Sequence, residues 1–509
     1  MFAPEWTPSG WLYELRNSFL VGACRLKHSG NSSAGSSKRL SAMKTAMVRW
    51  PLTAIIAVYL AAPLGIRAHA RQKAETAASP TCHIEPTNYM GWQAQQVFNS
   101  WVKLIFVPQN GGRLMQVIFN GHPFLFVNQR YAGKRLPPSG SEWFNYGGDK
   151  LWVLPEGNQD EKHWAGNSDV LDDGVFDFQI LKQGPRCEVS LTGPADPQTG
   201  LQFQRIVGLG ADSPRIDFRA IVKNASGHPI EWSVQSVSQY DTSDAKDSSR
   251  HNRNIWGFSK ANPSSSYVNQ YRVEFGPAEN REVHVRQNGL FAVHYAPLAA
   301  ELWLDSKDGW LAVVDGDTRY AMVERSRYDD TRPYPGKASI IFWTNGSELH
   351  QHPDGTATFG STEKDPPAIY MEAELNSPMV RLDPGEQYDF LTQWNPTRAD
   401  ARFQGVTDAG VLLKSFHAEK QSAGGKIILA GEFGVFYPGK LVAHFYGGGG
   451  MAIGTQSLLQ VDPDTLAVLQ MTVDDPGQSG RISLHLENAS GLDLGSFGEV
   501  VVESSGENR

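Results

Sequence analysis

The chain has 509 residues, 46 Lys and Arg against 54 Asp and Glu, a formal net charge of -8 and three cysteines. That balance argues against a nonspecific nucleic-acid or anionic-lipid binder, which needs a basic surface. Of the three cysteines, Cys82 and Cys187 lie beyond residue 70, and two separated thiols do not make a zinc site.

The first 70 residues stand apart. Residues 1–42 are polar, Ser-rich and weakly patterned, and read as an upstream extension, with translation beginning at Met43. Residues 43–49 give a short basic start, 51–62 an apolar region, and Ala68-His69-Ala70 the small residues flanking a cleavage point. A signal peptide over 43–70, cleaved after Ala70, is therefore expected. Its apolar run is short for a membrane span of about 20 residues, and no second such run follows. The expected product is periplasmic or secreted, with no stable span after cleavage. Removing residues 1–70 takes away 8 basic and 2 acidic residues, leaving 38 and 52 and a net charge of -14. Cys24 leaves with them. Cys82 and Cys187 remain, an even number in an oxidising compartment, and a disulfide between them is expected; two buried free thiols are the alternative.

Beyond an N-terminal segment at 71–96, the apolar pattern has a period of two. Arg215-Ile216-Asp217-Phe218-Arg219-Ala220-Ile221 alternates clearly, and 201–207 does so at first, as a strand does when one face is buried. Further strands are expected at 101–107, 113–119, 123–128, 175–181, 231–238, 301–304, 310–315, 319–324, 338–343, 369–375 and 387–393. Gly, Pro, Asn and Asp punctuate them. Long amphipathic helical patterns are scarce, so the fold class is all-β, a large sandwich. A boundary falls near 396–408, with a linker at 397–408 and a small β domain at 409–509. That domain is read as a brace or as an accessory sugar-binding module.

The densest stretch is Trp143-Phe144-Asn145-Tyr146-Gly147-Gly148-Asp149-Lys150-Leu151-Trp152. Gly147-Gly148 permits a tight bend and close backbone approach. The stretch suits stacking on a sugar face and hydrogen bonding to its hydroxyls. The alternative is a buried corner, its indoles packed and Asp149 paired to a backbone amide or to Lys150. Adjacent strand residues point apart, so Asp149 and Lys150 both reach a ligand only if the glycine turn redirects them.

The pieces Gly111-Gly112-Arg113, Asn145-Tyr146-Gly147-Gly148-Asp149-Lys150-Leu151-Trp152 and Asp172-Asp173-Gly174 resemble a bacterial family, the DUF4380 domain, related to galactose-mutarotase-like proteins. Tyr370-Met371-Glu372-Ala373-Glu374-Leu375 and Leu382-Asp383-Pro384-Gly385-Glu386 resemble the closing strands of mutarotase-like supersandwiches. The resemblance implies a two-sheet supersandwich over roughly 97–396 whose concave face binds carbohydrate. Aldose mutarotases pair a catalytic histidine with a glutamate. The segment where that histidine is expected reads Ser236-Val237-Ser238-Gln239-Tyr240-Asp241-Thr242, and His251 follows in a different local context, a departure that argues against mutarotation itself.

Glu372 is the leading candidate for a general base, and Glu374 has the same strand parity. Gln239, Tyr240, Asp241, His251, Arg253 and Trp256 form a second polar and aromatic group. Within it Tyr240 and His251 are candidate proton carriers, and Arg253 a planar partner for a uronic carboxylate. Trp143, Trp152, Trp164 and Trp256 are the candidate stacking indoles. Asn145, Tyr146, Asp149 and Lys150 are candidates for hydroxyl or carboxylate contact. No spacing supports zinc, a phosphate loop or a dinucleotide, and no cofactor or metal is expected. Three functions remain open. Carbohydrate recognition, with uronic-acid-containing sugars among its partners, leads. A sugar-active enzyme, either an aldose or uronate epimerase or a polysaccharide lyase, is the alternative, and an envelope scaffold the third.

Overall fold

The computed structural model describes residues 80–136, 144–157, 159–166, 170–346, 350–351, 357–358, 368–421 and 425–504. Residues 1–70, with the proposed signal segment, and Trp143 lie outside them. Among the described residues the helical turns are the 3-10 segments Gln129–Tyr131 and Pro335–Lys337, and no helix is long and apolar enough to cross a membrane.

The fold is all-β and antiparallel in its two main sheets. The first, of 12 strands, runs from the edge strand His83–Tyr89 through Arg113–Phe119, Asp149–Leu154, Ile230–Asp241, Tyr370–Asn376, Ile340–Asn345 and Ala300–Leu304 to Arg272–Phe275. The second, of 10 strands, runs from Val283–Val285 to the opposite edge at Asp177–Lys182. Alternation explains their packing. Leu151, Val153, Val234, Phe342 and Ala373 from one sheet meet Val189, Phe203, Phe218, Leu311 and Trp394 from the other in a single core. The alternating segments at 201–207 and 215–221 fall in Leu201–Gly210 and Ile216–Asn224.

The expected strand at 123–128 is corrected. Only His122–Pro123 pairs as a strand, followed by isolated bridges at Leu125 and Val127. The reason is a change of partner. Phe124 N–H donates to Val117, Phe126 N–H to Gln239 and Asn128 N–H to Tyr146, so the segment passes between neighbours without laddering to one.

The C-terminal residues form a smaller β-sandwich. A five-stranded sheet contains Gly410–Lys420, Lys426–Val435 and Ala467–Asp474, and a four-stranded sheet contains Gly439–Tyr446 and Arg481–Glu487. Ile427, Leu429 and Leu469 face Leu441, Phe445 and Leu484 across its core. A further cluster joins this part to the outer face of the ten-stranded sheet. Phe258, Leu290, Trp310 and Ala312 pack there with Phe403, Val411, Leu413 and Phe436.

Cys82 and Cys187 form a disulfide across 105 residues of sequence. It links the entry to the first strand of one sheet to the Arg186–Ala195 strand of the other. Such a bond is characteristic of an oxidising, extracytoplasmic compartment. Replacing both cysteines by alanine is expected to lower the unfolding free energy by about 2–4 kcal/mol. Urea unfolding of the oxidised parent and the double variant checks this, and coincident midpoints would remove the bond from the account of stability.

Candidate acidic site on the twelve-stranded sheet

The two faces of the central strands carry different chemistry. Register places Gln239 opposite Glu372, and Val237 opposite both Glu374 and Lys150. Glu372 in turn lies opposite Trp343, and Trp343 opposite Glu301. Directly paired residues share a face. Lys150, Trp152, Gln239, Glu372, Glu374, Trp343, Glu301 and Trp303 therefore occupy the face turned away from the ten-stranded sheet. Gln239 Nε2 donates to Glu372 Oε1 at 2.7 Å, and Trp303 Nε1 donates to Glu301 Oε1 at 2.6 Å. Gln235 Nε2 donates to Glu374 Oε2.

Burial grades across this face. Glu372, Glu374, Lys150 and Gln239 are buried, whereas Glu301, Trp303 and Trp343 are half-buried. Phe275 stacks on Trp343 with ring centroids 5.6 Å apart, and the Arg272 guanidinium lies 5.4 Å from the Trp303 ring centroid. The result is a polar floor beside two half-buried indoles. Glu156 joins the floor from the residues after the Asp149–Leu154 strand. Glu156 and Glu301 are half-buried.

Burial, with mutual repulsion, raises the affinity of these carboxyls for protons. The Glu156 carboxyl is pushed up to about 8, first by burial and then by Glu301 and Glu372. Glu301 is pushed up to about 7, by burial and by Glu274 and Glu372, against the Trp303 hydrogen bond. Burial raises Glu372 too, opposed by Lys150 and Gln239. Glu374 is raised well above the usual carboxylate range by burial and by Glu372. Burial acts oppositely on Lys150 and lowers its ammonium pKa.

The other candidate residues are distributed as follows. Trp152 is 9% exposed, its indole edge-on to Trp164 at 5.4 Å and its N–H donating to Asp172 Oδ1 at 2.9 Å. Lys150 Nζ lies 3.9 Å from the Trp152 ring centroid. Trp164 is buried, and Arg113 reaches the same Asp172 at 2.8 Å. Asn145 Oδ1 accepts from Gly147 N–H at 3.0 Å, and Tyr146 OH accepts from Leu136 N–H at 3.0 Å. The Gly-Gly corner is as tight as its sequence suggests. Gly147 has φ of 89°, and a Cβ there would stand 2.2 Å from the Phe126 carbonyl oxygen.

Asp149 and Tyr240 point the other way, into the space between the sheets. Asp149 pairs with Arg205 and accepts from Ser238 Oγ at 3.4 Å, and Tyr240 OH donates to Glu324 Oε1 at 2.6 Å. The glycine turn does not redirect Asp149 beside Lys150. Its partner is an arginine of the opposite sheet, neither of the partners expected for a buried corner. Asp241 ends its strand on the Glu372 side and accepts from Ser243 N–H at 2.8 Å. His251 lies edge-on to the Tyr295 ring at 6.2 Å. Arg253 is exposed. Trp256 packs on His294 at 4.4 Å and stacks on Phe258, on the outer side of the ten-stranded sheet. The structure thus gathers Gln239, Lys150, Trp152 and Glu372, and separates them from Trp256, Tyr240 and Asp149.

Sequence reasoning did not single out Glu301, Trp303, Trp343 or Glu156. The available signal was strand parity. Glu301 and Trp303 share one face of an expected strand, and the 338–343 strand ends on a tryptophan.

No protein-family model and no curated protein matches the chain. Solved structures do. A galactose mutarotase-like protein from Clostridium acetobutylicum is similar at 11% identity and a TM-score of 0.42, over 63% of this chain and 99% of its own. A galactose 1-epimerase from Lactobacillus acidophilus is similar at 12% identity and a TM-score of 0.37, over 63% and 100%. A TPR-domain containing protein from Parabacteroides distasonis is similar at 14% identity and a TM-score of 0.36, over 64% of this chain; the match spans 56% of that protein's length.

Proposed function

We propose that this protein is an exported carbohydrate-recognition protein and that it takes its ligand on the Glu372 face of the twelve-stranded sheet. The observation that carries this reading is the union, on one face, of half-buried indoles at Trp303 and Trp343 with the half-buried Glu301 carboxyl and the buried Glu372 and Gln239 groups. Stacking on a sugar's apolar side and hydrogen bonding to its hydroxyls need that combination. The disulfide supports export.

A sugar-active enzyme is the second reading. It is favoured by Glu301 and Glu156, which exchange protons near neutrality. One experiment separates the two. The protein is screened against neutral, amino and uronic sugars, with binding and product read together. Recognition gives bound, unchanged ligand; an epimerase changes the reducing end; a lyase gives an unsaturated product. Absence of binding across the panel would end both readings.

Trp343→Ala should weaken the established ligand by up to about tenfold, the loss of an aromatic stacking surface worth about 0.5–1.5 kcal/mol. Titration of the variant, with its circular dichroism matched to the parent, checks this. Unchanged affinity would move the ligand off this face.

A further inference from the structure

We propose that the carbohydrate bound on the Glu372 face carries a free, protonated amine. This rests on the carbohydrate reading above and narrows it from sugars in general to amino sugars.

The first argument is the charge left over once local pairs are formed. Arg113 is committed to Asp172 at 2.8 Å and Arg272 to Glu274 at 2.6 Å. Glu156, Glu301, Glu372 and Glu374 then share one electrostatic neighbourhood with Lys150, whose ammonium lies over the Trp152 ring. Fully ionised, that group would hold four negative charges against one positive charge. A uronate would add another negative charge to it. An ammonium would relieve the repulsion.

The second argument is independent of charge. Gln239 is 0% exposed, and its Nε2 donates to Glu372. Its carbonyl oxygen, beside Glu372 in the floor, has no hydrogen-bond partner among the described residues. A buried acceptor without a donor is costly, so the group that belongs beside it is a donor. An ammonium brings three donors and no acceptor; a hydroxyl also donates, so this oxygen argues against a carboxylate beside it, and the charge selects the amine among donors.

The third is the aromatic side. Trp303 and Trp343 are half-buried on the same face as these carboxyls. An aromatic wall beside an acidic floor attracts a cation through the ring quadrupole, and it still stacks on the sugar ring that carries the amine.

The raised proton affinities of Glu156 and Glu301 fit this assignment. In the empty site protons neutralise the carboxyls; a bound ammonium takes their place and those protons pass to the buffer.

The test uses the full chain and the methyl glycosides of glucosamine, galactosamine, their N-acetyl forms, glucose, galactose, glucuronic acid and galacturonic acid. Calorimetric titration near neutral pH, in two buffers of different ionisation enthalpy, reads affinity and proton release together. At least one amine is expected to bind about tenfold or more tighter than its N-acetyl and hydroxyl counterparts. The uronate should be weakest, and proton release should accompany the amine alone. Glu301→Gln, and separately Glu156→Gln, should narrow the ratio of amine to neutral-sugar affinity. The parent comparison stands without either variant. A neutral sugar or a uronate that binds as tightly as its amine overturns the proposal and leaves carbohydrate recognition standing. Failure of all eight to bind overturns both.

Discussion

Asp149→Ala is expected to cost about 3–5 kcal/mol of unfolding free energy, the usual result of stripping one partner from a buried ion pair. Asp149 is 0% exposed and pairs with Arg205, itself 3% exposed, across the space between the two large sheets. Burial raises the Asp149 carboxyl pKa, and the Arg205 guanidinium opposes that rise. Removing the carboxyl leaves a guanidinium 4.4 Å from the Phe218 ring centroid in the sandwich core, deprived of its counter-charge. Denaturant unfolding measures the loss. A double change, Asp149→Leu with Arg205→Met, should recover much of it, because desolvating two charges offsets most of their attraction. A single variant within about 1 kcal/mol of the parent would show that the pair does not hold the sheets together.

Glu324 gives the second large effect, through pH. It is 0% exposed, accepts from Tyr240, and its carboxyl is pushed up to about 8, chiefly by burial. In the unfolded chain such a carboxyl titrates near 4.5. The folded protein therefore keeps a proton that the unfolded chain has already lost. The stabilisation is fully present below about pH 4.5 and is lost as pH rises through about 8. Inside that window unfolding free energy should fall by up to about 1.4 kcal/mol per pH unit for each such group. Glu156 and Glu301 slope the same way, with solvent access weakening their share. Glu324→Gln keeps the shape and removes one titration. Urea unfolding at intervals between about pH 5 and pH 8 should give a visibly flatter profile for the variant. Parallel profiles for variant and parent would show that Glu324 does not bind its proton preferentially in the folded state.

Legibility in the sequence followed solvent exposure. Ile216–Asn224 buries one face and leaves Asp217, Arg219 and Lys223 on the other, so its alternation was readable. Leu290–His294 was not. Phe291 and Val293 enter the inter-sheet core while Leu290 and Ala292 enter the cluster on the far side, so both parities are apolar. The same logic covers the site. Glu372 and Glu374 were visible as a pair because they sit two apart in one strand. Glu301 and Trp343 come from other strands, and only long-range register sets them beside Glu372. The partner of Asp149 was beyond reach for a like reason, since it lies across the sandwich on the Leu201–Gly210 strand.

The apolar cluster behind the ten-stranded sheet bears on how the molecule can be taken apart. Phe258, Leu290 and Trp310 are covered there by Phe403, Val411 and Phe436. A chain ended before Gly405 would keep Phe403 but lose Val411 and Phe436, and would bare part of an oily surface next to intact strands, the kind that promotes clumping or capture of unrelated partners. Shortened forms would then report stickiness in place of ligand preference. The two parts should melt together, and a single heat-absorption peak is the natural expectation.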